Sequence, residues 1–229
     1  MWARLSSELP QFFGYYNLLF LAKATLATVG LSAIGVVTGT IAGSGLALLR
    51  LTSSRWLAPA RWLAVLVTEL FRRVPFLVTL MLVFFASQLS GLDLPLFVVA
   101  LVAVFLIASA YLSEIIRAGL ESVHRNQWDT AAAMNFSLVT TVRYVIAPQA
   151  WRVILPPAFG FFVLFIKDTA LASQIGVIEL TFAGKVLNNK GFSAALVFGT
   201  LLLIYFLISY PLSRFGVWLE ARLAPSRHR

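Results

Sequence analysis

"QWDTAAAMNFSLVTTVRYVI", residues Gln127–Ile146, belongs to the longest polar stretch of this chain and is flanked by long apolar segments. Its pattern predicts two short helices that are separated at Asn135. The alanines at 131–133 are strong helix formers without bulk. Asp129 suits the first turn, where its charge meets the positive end of the helix dipole. Asn135 can adopt the left-handed conformation in which helices end, and Ser137 can cap the second helix.

The second of these helices is expected to end at Pro148, before the next apolar segment begins. A short helix with a small, alanine-rich face can insert into a groove on another protein. The alternative is a loop helix that lies on the membrane surface without a partner. The composition of the stretch leaves both possibilities open.

The composition of the whole chain places it in a lipid bilayer. Of its 229 residues, 60% are hydrophobic and only 12% are charged, and the mean hydropathy is +0.88. Soluble domains are about half apolar and about a quarter charged. The length predicts a single domain. The chain has no cysteine, and His124 and His228 are far apart, so we expect no disulfide, no metal site and no resident cofactor.

Five apolar segments are long enough to cross a bilayer, which takes about 20 residues of helix. They form a predicted transmembrane domain, residues 17–220, between an extracytoplasmic segment, residues 1–16, and a basic cytoplasmic tail, residues 221–229. The polar stretch at 117–152 is the long cytoplasmic loop of this domain. The predicted spans are Asn17–Leu49, Trp62–Leu89, Leu94–Leu112, Ile154–Val177 and Ser193–Trp218.

Basic residues flank these spans unequally, and the asymmetry predicts an N-out, C-in orientation, because cytoplasmic loops carry the excess of lysine and arginine. With the N-terminus outside, only Arg4, Lys185 and Lys190 face the outside. The net charge of +9 does not favour nucleic acid as a partner, since the basic residues flank apolar segments and form no single basic domain. The cytoplasmic side receives Arg50, Arg55, Arg61, Arg117, Arg125, Arg143, Arg152, Arg214, Arg222, Arg227 and Arg229.

A few charged residues lie inside the predicted spans, where each costs roughly 2.5–3.5 kcal/mol on insertion scales. Lys167 and Asp168 interrupt the fourth span. Glu69 has the spacing of a helical ion pair with Arg72 or Arg73. These charges either form structural ion pairs or line a path for a zwitterion, in which carboxylates hold an ammonium and arginine holds a carboxylate. The candidate pathway residues are Glu69, Arg72, Asp168 and Thr169.

Several motifs resemble those of one family, the membrane subunits of ABC transporters, in its polar amino-acid importer branch. In the loop, Asp129 stands at the position of the Glu in that family's EAA motif, and Asn135 stands at the position of its Gly. Thr130 and Ala131 occupy the positions of the two Ala. Four further stretches are similar to the family's patterns, and the resemblance extends over nearly the whole chain. They are "ELFRRVP" (Glu69–Pro75), "AYLSEIIRAGL" (Ala110–Leu120), "IKDTALAS" (Ile166–Ser173) and "GVIELT" (Gly176–Thr181).

The resemblance implies an all-α integral membrane protein with five transmembrane helices, N-out and C-in, in the type I ABC importer permease fold and in a bacterial cytoplasmic (inner) membrane. It implies a permease for a polar or charged amino acid that works with a second permease subunit, an extracytoplasmic substrate-binding protein and a dimeric ATPase. The chain carries no P-loop sequence, so ATP and Mg²⁺ are expected on that ATPase. The residues implied for ATPase coupling are Gln127, Asp129, Thr130, Ala131, Ala132, Met134, Asn135 and Ser137.

Other functions remain as alternatives. A proton- or sodium-coupled secondary carrier would use Glu69 and Asp168 as ion sites, but such carriers usually have inverted repeats and more spans, and no repeat is evident here. A membrane-embedded enzyme is disfavoured, because the sequence has no nucleophile–base pair, metal ligand set or cofactor motif. An exporter of the same superfamily is disfavoured by the resemblance to importer motifs.

Overall fold

The computed structural model describes residues 2–223, with side chains from residue 7 onward, and this part of the chain contains helices and turns but no strand. The predicted all-α fold class is confirmed. Residues 224–229 of the predicted basic tail, with Arg227 and Arg229, lie outside the described residues, as does the side chain of Arg4. The helices are α1 (Trp2–Phe12), α2 (Tyr15–Leu51), α3 (Ala58–Arg73), α4 (Phe76–Leu89), α5 (Leu96–Glu121), α6 (Arg125–Ala133), α7 (Leu138–Thr141), α8 (Ala147–Asp168), α9 (Leu180–Asn189) and α10 (Ala194–Leu223).

Four helical stretches in the described part are long and apolar enough to cross a membrane. The pair α3 and α4 raises this number to five when its two helices are taken as one bent span. The predicted spans therefore all correspond to helices, with ends that differ by several residues from those expected. The four continuous stretches are Tyr15–Leu51, Leu96–Glu121, Leu138–Ile175 and Ala194–Leu223.

The predicted second span, Trp62–Leu89, is broken and not continuous. α3 ends at Arg73, Val74 takes an extended conformation with φ −86° and ψ 133°, and α4 begins at Phe76. Pro75 explains the break, because the residue before a proline is pushed out of the α region. The prediction of one unbroken apolar segment was therefore wrong at this point.

The predicted cytoplasmic loop joins the following span without a stop. The prediction that Pro148 ends a loop helix was wrong. Residues 142–146 form a π-helical turn, and α8 continues from Ala147 to Asp168 with Pro148 at its second position. In a π-helical turn the backbone hydrogen bonds reach one residue further than in an α-helix. Pro148 has no backbone N–H, and it lies where the π-helical hydrogen bonds give way to α-helical ones. The helix therefore continues through Pro148.

The chain divides into two compact units, and long helices such as α2 contribute a part to each. We call them the first unit, residues 1–35, 76–104 and 163–212, and the second unit, residues 36–75, 105–162 and 213–229. In the first unit, residues from α1, α2, α9 and α10 share a hydrophobic core. Its largest buried members are Phe12, Leu21, Leu180, Leu187 and Leu201.

In the second unit, α2 packs closely on α5 because glycines face the contact. A Cβ added to Gly39 would come within 2.5 Å of the Ala108 Cβ. A Cβ added to Gly43 would lie 2.8 Å from the backbone nitrogen of Ser113. Any larger residue at these two positions would push the helices apart. Gly45, in contrast, has nothing within 4 Å of the corresponding point.

Candidate functional site

The predicted coupling residues, Gln127 to Ser137, lie in the second unit, within residues 124–141, which fold as two short helices around a tight turn. We call residues 124–141 the coupling segment. α6 begins after His124, whose Nδ1 accepts a hydrogen bond from the Asn126 N–H at 3.2 Å. The expectation that Asp129 lies in the first turn was wrong, because the helix begins a full turn earlier. Asp129 instead lies 3.9 Å from Arg125, with both side chains exposed, so this ion pair contributes little to stability.

The turn after α6 has the geometry predicted for Asn135. Its φ is +57°, and its N–H donates to the Ala132 carbonyl at 2.9 Å. The N–H of Phe136 donates to the Ala131 carbonyl at 3.1 Å, which completes a Schellman motif. Ser137 then caps α7, as predicted, because its hydroxyl accepts a first-turn N–H at 3.2 Å. These bonds hold the two helices in a defined arrangement.

The coupling segment exposes apolar side chains. Met134 and Val139 leave 61% and 65% of their surface exposed, and Tyr144 in the following π-helical turn is also exposed. Val139 and Tyr144 are not among the coupling residues that the family resemblance implied.

Most of the predicted coupling residues share this exposed surface, but Ala131 does not. Ala131 is only 2% exposed, so it packs within the second unit and anchors α6 there. The other predicted coupling residues are exposed: Gln127, Asp129, Thr130, Ala132, Met134, Asn135 and Ser137.

A network of arginines surrounds Glu114 in the second unit. The Glu114 carboxylate accepts hydrogen bonds from Arg50 at 2.9 Å and from Arg117 on the same helix, and Arg72 lies 3.6 Å away. Glu114 and Arg117 are three residues apart on α5, so this pair follows from the spacing along one helix. No local spacing could indicate Arg50, because it belongs to α2 and is 64 residues distant in sequence. The network therefore connects α2, α3 and α5.

Glu69 and Arg72, two of the predicted pathway residues, are brought together in the second unit. Glu69 forms the predicted ion pairs, with Arg72 at 3.5 Å and with Arg73 at 2.8 Å. The Nε of Arg72 is buried and has no hydrogen-bond partner within residues 7–223. Burying a donor without a partner is costly, but the Arg72 side chain as a whole is 31% exposed, so its guanidinium group can still approach a carboxylate.

Asp168 and Thr169, the other two pathway candidates, lie in the first unit where α8 passes into a 3₁₀-helical segment. Thr169 is fully buried. Its hydroxyl donates to the Ile166 carbonyl at 2.8 Å and lies 3.3 Å from the Ser32 hydroxyl. Asp168 is partly buried, whereas its neighbour Lys167 is exposed. The Thr169 hydroxyl thus serves helix packing within this unit, and of this pair it is Asp168 that offers a charged group.

Glu179 is the buried carboxyl that sequence reasoning missed. It is fully buried in the first unit, and its two oxygens accept the backbone N–H groups of Thr181 at 2.9 Å and Phe182 at 2.8 Å. The hydroxyls of Tyr205 and Thr28 lie 3.2 and 3.3 Å from Oε2. Burial raises the pKa of Glu179, although these hydrogen bonds oppose the shift. The residue joins α2, α9 and α10, and "GVIELT" contains no local signal for contacts so distant in sequence.

Comparison of the sequence with known proteins finds membrane components of transport systems. A family model described as "Binding-protein-dependent transport system inner membrane component" matches residues 35–225. The probable amino-acid ABC transporter permease protein YckA of Bacillus subtilis (strain 168) is 31% identical over 205 residues, 90% of this chain and 89% of the relative. The glutamine transport system permease protein GlnP of Escherichia coli (strain K12) is 32% identical over 205 residues, 89% of this chain and 92% of the relative. The L-cystine transport system permease protein TcyB of Bacillus subtilis (strain 168) is 34% identical over 197 residues, 86% of this chain and 83% of the relative.

Among solved structures, chains of ABC transporters have a similar fold. An amino acid ABC transporter crystallised with histidines superposes with a TM-score of 0.80 at 27% identity, over 90% of this chain and 94% of that chain. The MetNI methionine ABC transporter in inward-facing conformations superposes with a TM-score of 0.77 at 17% identity, over 93% of this chain and 100% of that chain. The second likeness concerns the fold alone, because its sequence identity is low.

Proposed function

Because the chain belongs to the family of binding-protein-dependent transport system inner membrane components, we propose that it translocates a polar or charged amino acid and is driven by a separate ATPase that docks on the coupling segment. It is a multi-pass permease subunit of a bacterial inner membrane and not an enzyme. The resemblance to amino-acid ABC permeases that the motifs predicted is thus confirmed.

The observation that carries the ATPase proposal is the exposed apolar surface on the coupling segment. Met134 and Val139 protrude from a turn that backbone hydrogen bonds hold in shape. Exposed apolar patches on a rigid element are typical of protein-binding surfaces, and a groove on a partner would cover them. The helical stretch Leu138–Ile175 begins in this segment and ends beyond Asp168 and Thr169. Movement of the docked ATPase would therefore be transmitted to Asp168 and Thr169 along one helical stretch.

We propose that the four predicted pathway residues take part in substrate passage, Glu69 and Arg72 within the second unit and Asp168 and Thr169 within the first, each pair taken by itself. Arg72 supports this assignment, because its side chain is 31% exposed and guanidinium groups bind carboxylates in pairs of hydrogen bonds. A carboxylate such as Asp168 would favour the ammonium end of a zwitterion. Thr169 would act by holding the start of the 3₁₀ segment, since its hydroxyl already bonds within the first unit.

We propose a second permease subunit, identical or homologous, because a chain with four or five spans is too small to enclose an alternating path, and two-fold pairs are the common solution. An extracytoplasmic substrate-binding protein would deliver the amino acid. ATP and Mg²⁺ would bind only to the ATPase. Within residues 2–223, no group of three or more His, Cys, Asp or Glu side chains is placed to hold a metal ion.

The proposal is tested by reconstituting the chain with its ATPase, sister subunit and binding protein in liposomes, and by measuring amino-acid uptake. We expect uptake to require ATP on the ATPase side and to persist when an ionophore removes the membrane potential. The alternative, a proton- or sodium-coupled carrier, predicts the opposite dependence. Uptake by the chain alone that follows an ion gradient would overturn the importer assignment.

A further inference from the structure

A basic cleft of about 360 Å³ lies in the second unit, at the end of the spans that the charge asymmetry places toward the cytoplasm. Arg50 is in the last turn of α2, and Arg61 and Trp62 are in the first turns of α3. Arg117 and Glu121 are near the end of α5. The residues that line it are Arg50, Arg61, Trp62, Val65, Arg117 and Glu121, and we refer to it as the basic cleft.

The ion pairs in and around the basic cleft leave one arginine over. Arg50 binds Glu114, and Arg117 binds both Glu114 and Glu121. Arg61 donates from Nη1 to the Thr52 carbonyl at 2.7 Å, and no described carboxylate forms an ion pair with it. Three arginines line the cleft and two carboxylates pair with them, and one of these carboxylates, Glu114, also has Arg72 at 3.6 Å. Positive charge is therefore in excess, and Arg61 is the lining arginine without a described carboxylate partner.

The opening of the basic cleft has the composition of a membrane interface. Trp62, beside Arg61, is 72% exposed, and Leu63 and Leu66 on the same helix are exposed as well. Tryptophan is enriched where hydrocarbon meets headgroups, and exposed leucines on a spanning helix are suited to acyl chains. The cleft thus combines an arginine without a carboxylate partner, an interfacial aromatic ring and an apolar helix surface.

We propose that the basic cleft binds the phosphate headgroup of an anionic phospholipid from the cytoplasmic leaflet. Guanidinium groups match phosphate oxygens with paired hydrogen bonds, and basic pockets between spanning helices bind anionic headgroups on the cytoplasmic side. Arg61 contacts the phosphate, Trp62 lies at headgroup level, and the acyl chains follow the leucines of α3. This assignment holds for any solute that the chain transports.

The experiment titrates the complete, detergent-purified transporter with phosphatidylglycerol and counts bound lipid by native mass spectrometry. R61Q is compared with R55Q, which removes the same charge from an exposed position that does not line the cleft. We expect R61Q to weaken phosphatidylglycerol binding about fivefold and R55Q by less than twofold. Trp62→Ala, at an exposed residue, provides a second variant should R61Q reduce the yield of folded protein, and it should weaken binding at least twofold.

Three results would overturn the assignment. Equal loss in R61Q and R55Q would mean that lipid is attracted by a diffuse basic surface. Equal binding of phosphatidylcholine would mean that the headgroup charge is not recognised. Displacement of phosphatidylglycerol by millimolar inorganic phosphate, with no effect of Trp62→Ala, would identify a site for free phosphate and exclude a lipid site. Selective binding of phosphatidylglycerol that depends on Arg61 supports the proposal.

Discussion

Replacement of Glu179 by glutamine removes one hydrogen-bond acceptor from a fully buried site, and the resulting loss of stability can be estimated from the hydrogen bonds. Oε2 accepts the N–H of Thr181 at 2.9 Å, and Oε1 accepts the N–H of Phe182 at 2.8 Å. Glutamine keeps one oxygen and replaces the other with an NH₂ group, which cannot accept a hydrogen bond. In E179Q one N–H at the start of α9 therefore loses its acceptor, whether or not the wild-type carboxyl is ionised.

A buried donor without a partner costs about 1–3 kcal/mol, and we take about 2 kcal/mol for this site. For a chain of this size, 1 kcal/mol corresponds to a shift of about 2–4 °C in the melting temperature. The expected decrease for E179Q is therefore about 4–8 °C. Thr28 and Tyr205 are not free to replace the lost acceptor, because the Thr28 hydroxyl already accepts the N–H of Leu180 at 3.0 Å and the Tyr205 hydroxyl already lies 2.9 Å from the Thr181 hydroxyl.

The measurement is thermal unfolding of the purified permease in one detergent at fixed pH, for the wild type and E179Q. Glu220→Gln is the matched control, because Glu220 is exposed near the end of α10 and its replacement should shift the melting temperature by less than 1 °C. If E179Q melts with the wild type, the backbone donors of α9 must have another acceptor, and the stabilising role assigned to Glu179 is wrong.

Four further predictions follow from the same structure. Burial raises the pKa of Glu179 above its usual value of 4.5, so the protonated carboxyl stabilises the folded state fully below pH 4.5, and this stabilisation is lost as the pH rises through the raised pKa. The difference in melting temperature between wild type and E179Q should therefore narrow from pH 5 to pH 8. Gly43→Ala should destabilise the protein by about 1–3 kcal/mol through overpacking against α5. Gly45 has open space around it, so Gly45→Ala should stabilise the protein by up to about 1 kcal/mol, and thermal unfolding measures both variants. Met134→Asp should reduce co-purification of the ATPase and ATP-driven uptake at least tenfold without a change in melting temperature, because it places a charge on the exposed apolar surface. Asp168→Asn should impair uptake, or alter which amino acid is taken up, more than it lowers the amount of permease in the membrane.

Each of these predictions has an outcome that contradicts it. A constant gap between wild type and E179Q across pH would show that the Glu179 proton is bound equally in both states. Equal melting of the two glycine variants would contradict the close α2–α5 contact. A Met134→Asp permease that keeps its ATPase and transports normally would remove this surface from the docking site. Parallel loss of membrane level and uptake in Asp168→Asn would indicate a structural role for that carboxylate.

The coupling segment shows how far local chemistry can be predicted. Asn135 was expected to adopt a left-handed conformation and Ser137 to cap a helix, and both do so, because a turn and a cap depend on residues within one helical turn. The break at Val74 was missed although Pro75 is also a local signal. The apolar character of the segment from Trp62 to Leu89 was allowed to outweigh that proline.

The Pro148 prediction failed for a different reason, and the burial of Ala131 also has no local signal. Pro148 was expected to stop a helix, but a π-helical turn precedes it, and a change in backbone hydrogen bonding of that kind leaves no reliable mark in the residues themselves. Ala131 was grouped with the docking residues, but it packs inside its own unit. Which face of a short helix is covered depends on the helices around it.

The amino-acid sequence by itself determined that this protein is a helical membrane permease, because long apolar runs, basic flanks and short motifs are properties of neighbouring residues. It also indicated that Glu69 could pair with Arg72 or Arg73, and both pairs form, since positions three and four apart on one helix are neighbours. Only the tertiary structure decided that Arg50 binds Glu114 and that Glu179 is buried against Thr28, across separations of 64 and 151 residues. These contacts depend on which helices pack together, and the packing of a whole bundle is not specified by any single stretch of its sequence.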